Sequence, residues 1–292
     1  MLAQKNELQL ICLEREGCAH LKMERKASIK SRRRKRRIRR RICFGLMVIC
    51  MALLASACLK LNWFANLQAA GADEGQAKRL WEEIAGKEDE YPAELAELLE
   101  QNEETQDFVE DYPERRSYIG GAIDLSGEIR GDDVPLLMQW DKRWGYDLYG
   151  DSMIGIAGCG PTCMTMAYLY HTKDAEMNPR KMAEFAQDGG YHTTEGTSWD
   201  FWITGALELG LYGEQISLNE NTMKSVLDCG GVVVCSMAPG DFTTKGHFIL
   251  LRGYDENGFF VNDPNRKSNS EKQWDFETLS SQIKNLWGIY KA

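Results

Sequence analysis

A block of basic residues followed directly by a long uncharged stretch constrains how this chain can fold. Residues 31–41 read SRRRKRRIRRR, nine basic residues in eleven, and the next eighteen residues, 42–59, carry no charge. A helix of eighteen residues spans roughly 27 Å, close to the thickness of the hydrocarbon core of a bilayer. The pattern predicts a transmembrane signal-anchor over residues 42–61, with a basic cytoplasmic tail over residues 1–41.

The chain before this uncharged segment is basic, and the chain after it is acidic. Residues 1–41 hold 15 Lys and Arg against 4 Asp and Glu, whereas the remaining residues hold 20 basic against 40 acidic side chains. A body that binds nucleic acid normally presents a basic surface, so we expect no nucleic-acid partner. The Arg block resembles a nuclear-localisation or nucleic-acid patch. The uncharged segment starts at the very next residue, which favours a role in membrane topology instead.

Two alternatives to an uncleaved anchor stay open. The run Leu54-Ala55-Ser56-Ala57-Cys58 is compatible with a lipoprotein cleavage site that would leave Cys58 lipidated, and a cleaved signal peptide could end nearby. Eighteen uncharged residues exceed an ordinary signal core, which favours the anchor. All three alternatives place the chain beyond about residue 62 outside the cytoplasm, so we expect a single-pass cell-membrane protein with an extracellular body.

The exported part divides further. Residues 62–90 are predicted to form a stalk, because residues 71–90 are polar and rich in Ala, Glu and Lys. Residues 91–130 hold leucines and aromatic residues at helical spacing, followed by a glycine-rich join, and predict a short helical module. Such a small amphipathic unit cannot bury itself alone, so we expect it to pack on the domain of residues 131–292.

The last part of the chain combines helical and strand-like patterns. Its first half has helical periodicity, and its second half has apolar runs around the turn Asp255-Glu256-Asn257-Gly258. Helices followed by antiparallel strands indicate an α+β domain. The predicted helices are Cys159–Tyr170, Ser198–Leu209 and Asn221–Leu227, and the predicted strands are Val232–Met237, Phe248–Tyr254 and Phe259–Asn262.

The exported part contains four cysteines, Cys159, Cys163, Cys229 and Cys235. Four in about 230 residues is sparse for a disulfide scaffold. Without a CxxC pair or a His–Cys cluster, we expect no structural zinc site. Cys163 is expected in the core. Cys229 and Cys235 flank a buried strand and are expected to pack there, with a disulfide between them as the alternative.

Cys159 is the candidate nucleophile. It lies between Gly158 and Gly160 and precedes Pro161 and a periodic helix. This places it at a helix amino terminus, where unpaired backbone N–H groups and the helix dipole favour a thiolate. The flanking glycines are expected to let a substrate backbone approach. The alternative is a small buried thiol at a tight turn.

A cysteine nucleophile needs a base, and His247 is the best candidate. It follows Gly246 and opens a predicted strand, which offers a rigid platform. His171 lies twelve residues after Cys159 on the same helix, roughly 18 Å away, and cannot reach the thiol. His192, in a loop rich in glycine and threonine, stays open as an alternative.

Asp263 is the candidate for orienting the base, because it ends the strand that returns beside His247. Regular pairing around a two-residue loop places a residue near 266 opposite His247, so Asp263 needs a bend or bulge to reach the imidazole. Asn262 and Asn265 are the alternatives. Gln139, twenty residues before Cys159, is the candidate oxyanion donor beside the Cys159 N–H, with a plain surface glutamine as its alternative.

The chain resembles papain-like cysteine peptidases of the bacteriocin-processing type, cysteine peptidase family thirty-nine, over about residues 131–292. The stretches that carry the resemblance are VPLLMQWDKRWG, GCGPTCMTMAY, GTSW, GHFILLRGYD and VNDP. It implies a papain-like α+β peptidase fold, with Cys159 as nucleophile, His247 as general base and acid, Asp263 as its orienter and Gln139 in the oxyanion hole.

The resemblance is to the stand-alone exported members of that family. Transporter-fused members carry ATP-binding domains, whereas this sequence has no Walker-type loop. It implies a membrane-tethered extracellular cysteine peptidase that acts on a peptide or protein without a cofactor. Two other functions compete: a cell-wall amidase acting on peptidoglycan stem peptides, and a catalytically silent surface binding domain. Four tryptophans are candidates to line a cell-wall groove: Trp140, Trp144, Trp199 and Trp202.

The predicted topology has a direct test. Protease added to intact cells is expected to release the acidic body by cutting around residues 71–90, leaving a short basic fragment in the membrane. Protection of the body until the cells are lysed would refute the orientation. A mature amino terminus at Cys58 would keep the outside location and replace the helix by a lipid anchor.

Overall fold

The computed structural model of the chain describes residues 79–80 and 91–292. The predicted tail and membrane segment, residues 1–61, lie outside the described residues, as does most of the predicted stalk. Within the described ranges no helix is long and apolar enough to cross a membrane. The anchor therefore stays a prediction from the sequence.

A six-stranded antiparallel sheet forms the centre of the structure, and two further pairs of short strands lie outside it. The short strands are β1 Leu148–Tyr149, β2 Ser152–Met153, β3 His192–Thr193 and β4 Gly196–Thr197. The strands of the large sheet are β5 Leu211–Gln215, β6 Val232–Met237, β7 His247–Asp255, β8 Gly258–Asn262, β9 Gln273–Trp274 and β10 Ile283–Lys291. Their order is β5-β10-β6-β7-β8-β9, so the last strand of the chain lies inside the sheet.

Helices precede and interrupt these strands, which gives the α+β arrangement that the sequence predicts. The helices are α1 Ala93–Gln101, α2 Gln106–Glu110, α3 Ile154–Ala157, α4 Cys159–Thr172, α5 Pro179–Asp188, α6 Thr204–Glu208, α7 Glu220–Asp228, α8 Lys267–Ser270 and α9 Phe276–Ser280. Short 3-10 turns lie at Glu103–Thr105, Tyr112–Ser117 and Trp199–Trp202.

One predicted helix is wrong in its continuity. Residues 198–209 form the 3-10 turn Trp199–Trp202 and then α6, not one helix. Phe201 and Trp202 are both fully buried. The Ser198 hydroxyl accepts from the Asp200 N–H at 3.3 Å, and the Ile203 N–H bonds to the Asp200 carbonyl three residues back, so the chain winds as a 3-10 turn before α6 begins. Helix α4 and strands β6 to β8 match the prediction within two residues at each end.

The large sheet is covered on both faces. All six residues of β6 are buried. Val234 and Phe248 belong to the apolar core that also contains residues of α4. Val233 and Ile249 belong to a second core that contains residues of α7 and α9. Burial on both faces explains why β6, VVVCSM, lacks the apolar and polar alternation of a half-exposed strand.

The helical module packs on the domain, as its apolar spacing predicts. Leu95 and Phe108 are buried in an apolar cluster with Tyr146 of the domain. The Phe108 and Tyr146 rings stack with their centroids 4.3 Å apart, and the Tyr146 hydroxyl donates a 2.6 Å hydrogen bond to the Phe108 carbonyl. A Cβ at Gly145 or Gly155 would lie within 2.6 Å of the Phe108 ring, so both glycines make room for it.

Phe108→Ala is expected to lower the free energy of unfolding by about 3–5 kcal/mol, because it empties a fully packed aromatic site. Urea unfolding measures this change. Leu207→Ala, at a position that is 66% exposed, is the matched control and is expected to change the free energy by no more than about 0.5 kcal/mol. Equal changes in the free energy of unfolding would show that packing of the module on the domain does not stabilise the protein.

Candidate active site

Cys159 is the first residue of α4, which confirms the predicted helix start. Gly158 precedes the helix and provides no side-chain cap. The first backbone N–H groups of an α-helix have no partner within the helix, and they carry the positive end of its dipole. The Cys159 thiol is only partly buried, so it meets both this positive end and the solvent.

The flanking glycines serve a different purpose from the one expected. A Cβ at Gly160 would lie 2.2 Å from the Thr197 Oγ1, and a Cβ at Gly158 would lie 2.5 Å from the Ile154 carbonyl oxygen. Thr197 shares a 2.8 Å hydrogen bond with the Tyr149 hydroxyl, which holds it against the helix. The space that the two glycines leave is therefore filled by the chain itself, not kept for a substrate backbone.

His247 and Asp263 form a buried ion pair. The Nε2 of His247 donates a 2.7 Å hydrogen bond to Oδ1 of Asp263, and the two side chains are 6% and 0% exposed. The Asp263 carboxylate also accepts from the backbone N–H groups of Asn265 at 2.8 Å and Arg266 at 3.2 Å. Its other oxygen accepts from the Asn269 side-chain amide at 2.7 Å. Four donors thus hold the carboxylate that faces the imidazole.

A β-bulge puts the pair on one face of the sheet. Near the turn Gly253 pairs with Phe260, but further along Leu251 pairs with Val261, so Arg252 is an extra residue in β7. Continued one step beyond β8, the shifted register places Asp263 opposite Ile249, diagonal to His247 and on the same face. Without the extra residue, Asp263 would lie opposite Leu250 and point to the other face. The bulge at Arg252 thus supplies one step of the shift that the sequence required, and the diagonal reach of Asp263 to His247 supplies the rest.

The ion pair determines the charge of the imidazole. Burial alone lowers the pKa of His247, but the charge and hydrogen bond of Asp263 outweigh it, and the neighbouring Cys159 thiol adds to them. The pKa of His247 is therefore raised well above its ordinary value. Burial raises the pKa of Asp263, yet His247 and the other donors shift it below the usual range. At neutral pH the site holds an imidazolium next to a carboxylate.

His247 is the candidate base that the structure brings to Cys159. Its Nε2 is engaged by Asp263, so Nδ1 is the nitrogen left for the thiol. His171 lies at the opposite end of α4, where its Nε2 is 3.1 Å from the Ile289 carbonyl oxygen. His192 packs edge-on against Tyr149 at 4.7 Å between ring centroids. It does not line the cleft that contains Cys159.

In the structure, neither alternative to Asp263 has a hydrogen bond to His247. The Asn262 side-chain oxygen accepts from the Arg252 guanidinium at 2.9 Å, and its amide donates to the Pro135 carbonyl at 2.9 Å. Asn265 lines the cleft, and its backbone carbonyl accepts from the indole N–H of Trp140 at 2.7 Å. Asp263 is the residue hydrogen-bonded to His247.

Gln139 is buried in the wall of the cleft, 3% exposed, rather than on the surface. Its side-chain amide donates to the carbonyls of Gly155 at 3.0 Å and Ile156 at 3.1 Å, both in α3. Its side-chain oxygen is buried without a hydrogen-bond partner. The amide therefore supports the turn before Cys159, and it can face an oxyanion only by exchanging one of these two bonds.

The candidate site opens into a cleft of about 230 Å³. Cys159, His247 and Gln139 line one part of it, and residues of α1 and of the loop before β7 line the rest. A larger cavity of about 520 Å³ lies between the helical module and the domain, but neither cysteine nor histidine lines it. The smaller cleft is the candidate active site because it contains the candidate nucleophile and the charged imidazole.

The other cysteines have separate environments. Cys163 is buried, and burial raises the pKa of its thiol well above the ordinary value, so it stays protonated. Cys235 is buried as expected, whereas Cys229 is exposed at the end of α7, against the expected core packing. Both are free thiols. Within residues 79–80 and 91–292, no three His, Cys, Asp or Glu side chains are grouped as a metal ion would require.

The tryptophans do not form the groove considered for a cell-wall substrate. Trp144 and Trp202 are fully buried in the core. Trp199 is 47% exposed and packs edge-on against Trp287, 5.7 Å between ring centroids. None of the four candidates lines the cleft of Cys159.

Sequence reasoning missed Asn269, a buried residue that donates to the free oxygen of Asp263. It follows Asp263 by six residues, in α8, and its carbonyl accepts from the Trp274 indole at 2.9 Å. An asparagine in a polar stretch carries no spacing signal of its own. Asn269 can be recognised only by its hydrogen bond to the Asp263 carboxylate, and that contact is visible only in the folded structure.

Comparison with known proteins identifies the domain. The model of the Peptidase_C39 like family matches residues 132–292. Among solved structures, the peptidase domain of Streptococcus ComA, a bi-functional ABC transporter involved in a quorum-sensing pathway, is 17% identical with a TM-score of 0.36; the alignment covers 46% of this chain and 90% of that one. A putative C39-like peptidase from Bacillus anthracis is 16% identical with a TM-score of 0.32, covering 58% and 98%. No curated protein matches this chain.

Replacement of the candidate base has a defined effect on the thiol. Because the charged His247 imidazole lies beside the Cys159 sulfur and can balance its charge during reaction, iodoacetamide is expected to alkylate Cys159 at pH 6. His247→Ala is expected to slow this reaction by roughly one to two orders of magnitude, because it removes the charged partner of the sulfur. His192→Ala is the control and is expected to leave the rate unchanged. The opposite ranking of the two variants would transfer the role to His192.

Proposed function

The chain belongs to the Peptidase_C39 like family, and from that premise we propose that it is a cysteine peptidase that cleaves peptide bonds through Cys159, His247 and Asp263. We propose further that the domain is a variant of the papain-like fold. The single observation that supports the mechanism is the juxtaposition of a helix-terminal cysteine with an imidazolium that is paired to a buried carboxylate. In this arrangement the acid of the reaction already carries its proton, and it lies beside the nucleophile before a substrate binds.

The first half of the proposed reaction forms an acyl-enzyme. The Cys159 thiolate attacks the carbonyl carbon of the scissile bond, and a carbon–sulfur bond forms while the carbonyl oxygen becomes an oxyanion. His247 then gives its Nδ1 proton to the leaving nitrogen, and the carbon–nitrogen bond breaks. The amine product leaves, and the acyl group stays on sulfur as a thioester.

The second half returns the enzyme to its starting state. His247, now neutral, takes a proton from water, and the hydroxide attacks the thioester carbonyl. The carbon–sulfur bond breaks, the acid product leaves, and the thiolate again faces an imidazolium. Asp263 keeps the ring in one orientation through Nε2 and stabilises its positive charge in both halves.

The oxyanion needs donors that the triad does not supply. We assign the backbone N–H of Cys159 as the first donor, because it belongs to the unpaired N–H groups at the start of α4. We assign Gln139 as the second donor. Its amide already lies in the cleft wall, and it must give up its bond to the Gly155 or the Ile156 carbonyl when a substrate binds.

We also propose that the protein is located at the cell membrane. The basic block and the uncharged segment before the stalk support a form that is tethered to the cell membrane by one helix, with the peptidase domain outside. A peptide or protein is the proposed substrate, and the reaction as written needs no cofactor. The complete set of charged and hydrogen-bonded residues favours an enzyme over a silent binding domain.

Cys159→Ala is expected to abolish hydrolysis, with a loss of at least roughly a thousandfold in kcat, because it removes the atom that forms the thioester. The measurement is turnover of a peptide library by the purified protein. Cys163→Ala is the matched control, since it removes a thiol from the same helix that is buried and protonated.

Isolated cell wall serves as a second substrate in the same assay. Cleavage of library peptides that Cys159→Ala loses and Cys163→Ala keeps supports the peptidase. Cleavage of stem peptides alone would replace the peptidase by the amidase. Full turnover by a correctly folded Cys159→Ala variant would end the proposed mechanism.

A further inference from the structure

The helical module contacts both loops next to the His247–Asp263 pair. One is the β8–α8 loop, residues 263–266, which begins at Asp263 itself. The other is the β6–β7 loop, residues 238–246, which ends at the residue before His247. Helix α1 of the module also lines the cleft that contains Cys159. The module therefore contacts the candidate active site as well as the apolar cluster around Phe108 and Tyr146.

The β8–α8 loop aligns the carboxylate. Two of the four hydrogen bonds to Asp263 come from backbone N–H groups of this loop, at Asn265 and Arg266. Backbone donors move with the loop, so a shift of the loop displaces the carboxylate or leaves it short of donors. The position of the loop thus determines where Asp263 holds the imidazole.

Two side chains of the module hold that loop and the start of α8, and the Gln101 carbonyl also accepts a hydrogen bond from the Arg266 guanidinium. The Asn102 side-chain amide donates a 2.6 Å hydrogen bond to the carbonyl oxygen of Asn265. The Glu104 carboxylate accepts from the backbone N–H of Lys267 at 2.6 Å with one oxygen and from that of Ser268 at 2.9 Å with the other. These contacts join positions more than 160 residues apart in the sequence. A carboxylate that accepts from two neighbouring backbone N–H groups fixes both the position and the orientation of that backbone, here the start of α8.

The contacts with the other loop are of a weaker kind. Glu97 pairs with Lys245 at 2.6 Å, but the two side chains are 43% and 74% exposed. Exposed ion pairs contribute little to stability. The Thr244 hydroxyl donates a 3.3 Å bond to the Gln101 side chain. This side of the module borders the cleft, whereas Asn102 and Glu104 act on the loop that orients Asp263.

We infer that the helical module is a working part of the active site, in which Asn102 and Glu104 are positioning residues that hold Asp263, and through it His247, in register with Cys159. Adhesion of the module to the domain is supplied separately, by the apolar cluster around Phe108 and the hydrogen bond of Tyr146. The polar contacts can therefore be removed one at a time without detaching the module. The effect on turnover rests on the proposed function, whereas the effect on thiol reactivity does not.

The test is Glu104→Gln in the full chain. A glutamine oxygen can accept from one of the two N–H groups, but its amide then faces the other and leaves it unpaired. We expect kcat to fall by roughly 10- to 100-fold, as for a displacement of about 1 Å, with KM changed by less than about twofold. The rate of Cys159 alkylation at pH 6 is expected to fall together with kcat.

Two control variants separate positioning from adhesion. Glu103→Gln makes the same chemical change at the exposed neighbouring residue. Tyr146→Phe removes the buried hydrogen bond between the module and the domain, 2.6 Å long, without touching the β8–α8 loop. Both are expected to keep the kcat and the alkylation rate of the unsubstituted protein, and thermal unfolding shows whether each variant is folded.

The outcomes separate this inference from the proposed function. Unchanged alkylation in Glu104→Gln overturns the inference, as does an equal loss in Tyr146→Phe, which would mean that the module only adheres. If no substrate is turned over but Glu104→Gln still slows alkylation, the positioning role is supported and the proposed peptidase activity fails. If the unsubstituted protein hydrolyses peptides and Glu104→Gln hydrolyses them equally fast, the peptidase stands and the inference is wrong.

Discussion

A buried ion pair between His247 and Asp263 is the interaction on which the candidate site depends. Removing two charges from water costs several kcal/mol for each ion, and mutual attraction repays this only when the remaining lone pairs are satisfied. The Asp263 carboxylate meets that condition, because it accepts from the imidazole, two backbone N–H groups and the Asn269 amide. These donors keep the carboxylate ionised, and the ionised carboxylate keeps the imidazole charged next to Cys159.

The rest of the fold brings His247 and Asp263 together and places Cys159 beside them. Helix α4 presents Cys159 at its positive end, and the bulge at Arg252 turns Asp263 to the face of His247. The module that precedes the domain reaches the same place from the other direction, through the Glu104 carboxylate on the start of α8. Three distant parts of the chain thus converge on one imidazole, which explains why no single segment of the sequence carries the site.

The sequence predicts features that depend on local chemistry. The start of α4 follows from a glycine-flanked cysteine before a periodic helix, and the hairpin around Asp255 follows from its turn residues. The sequence predicts that a bend is needed for Asp263 to reach His247. It does not predict the position of the bend, because one extra residue at Arg252 does not change the apolar pattern of the strand visibly. The bonds of Gln139 to α3, the packing of Thr197 on Gly160, and the contacts of Asn102 and Glu104 join residues far apart in the chain. Such contacts depend on the assembled fold and have no local pattern.

The charge of the His247 ring is the quantity on which the proposed mechanism depends. It can be measured by NMR titration of the two ring nitrogens in protein labelled with ¹⁵N at histidine. We expect both nitrogens of His247 to carry protons at pH 8, where an ordinary histidine is neutral, because Asp263 raises the pKa of the ring. A His247 ring that is neutral at pH 7, with a proton on one nitrogen only, would contradict the proposed activation of Cys159.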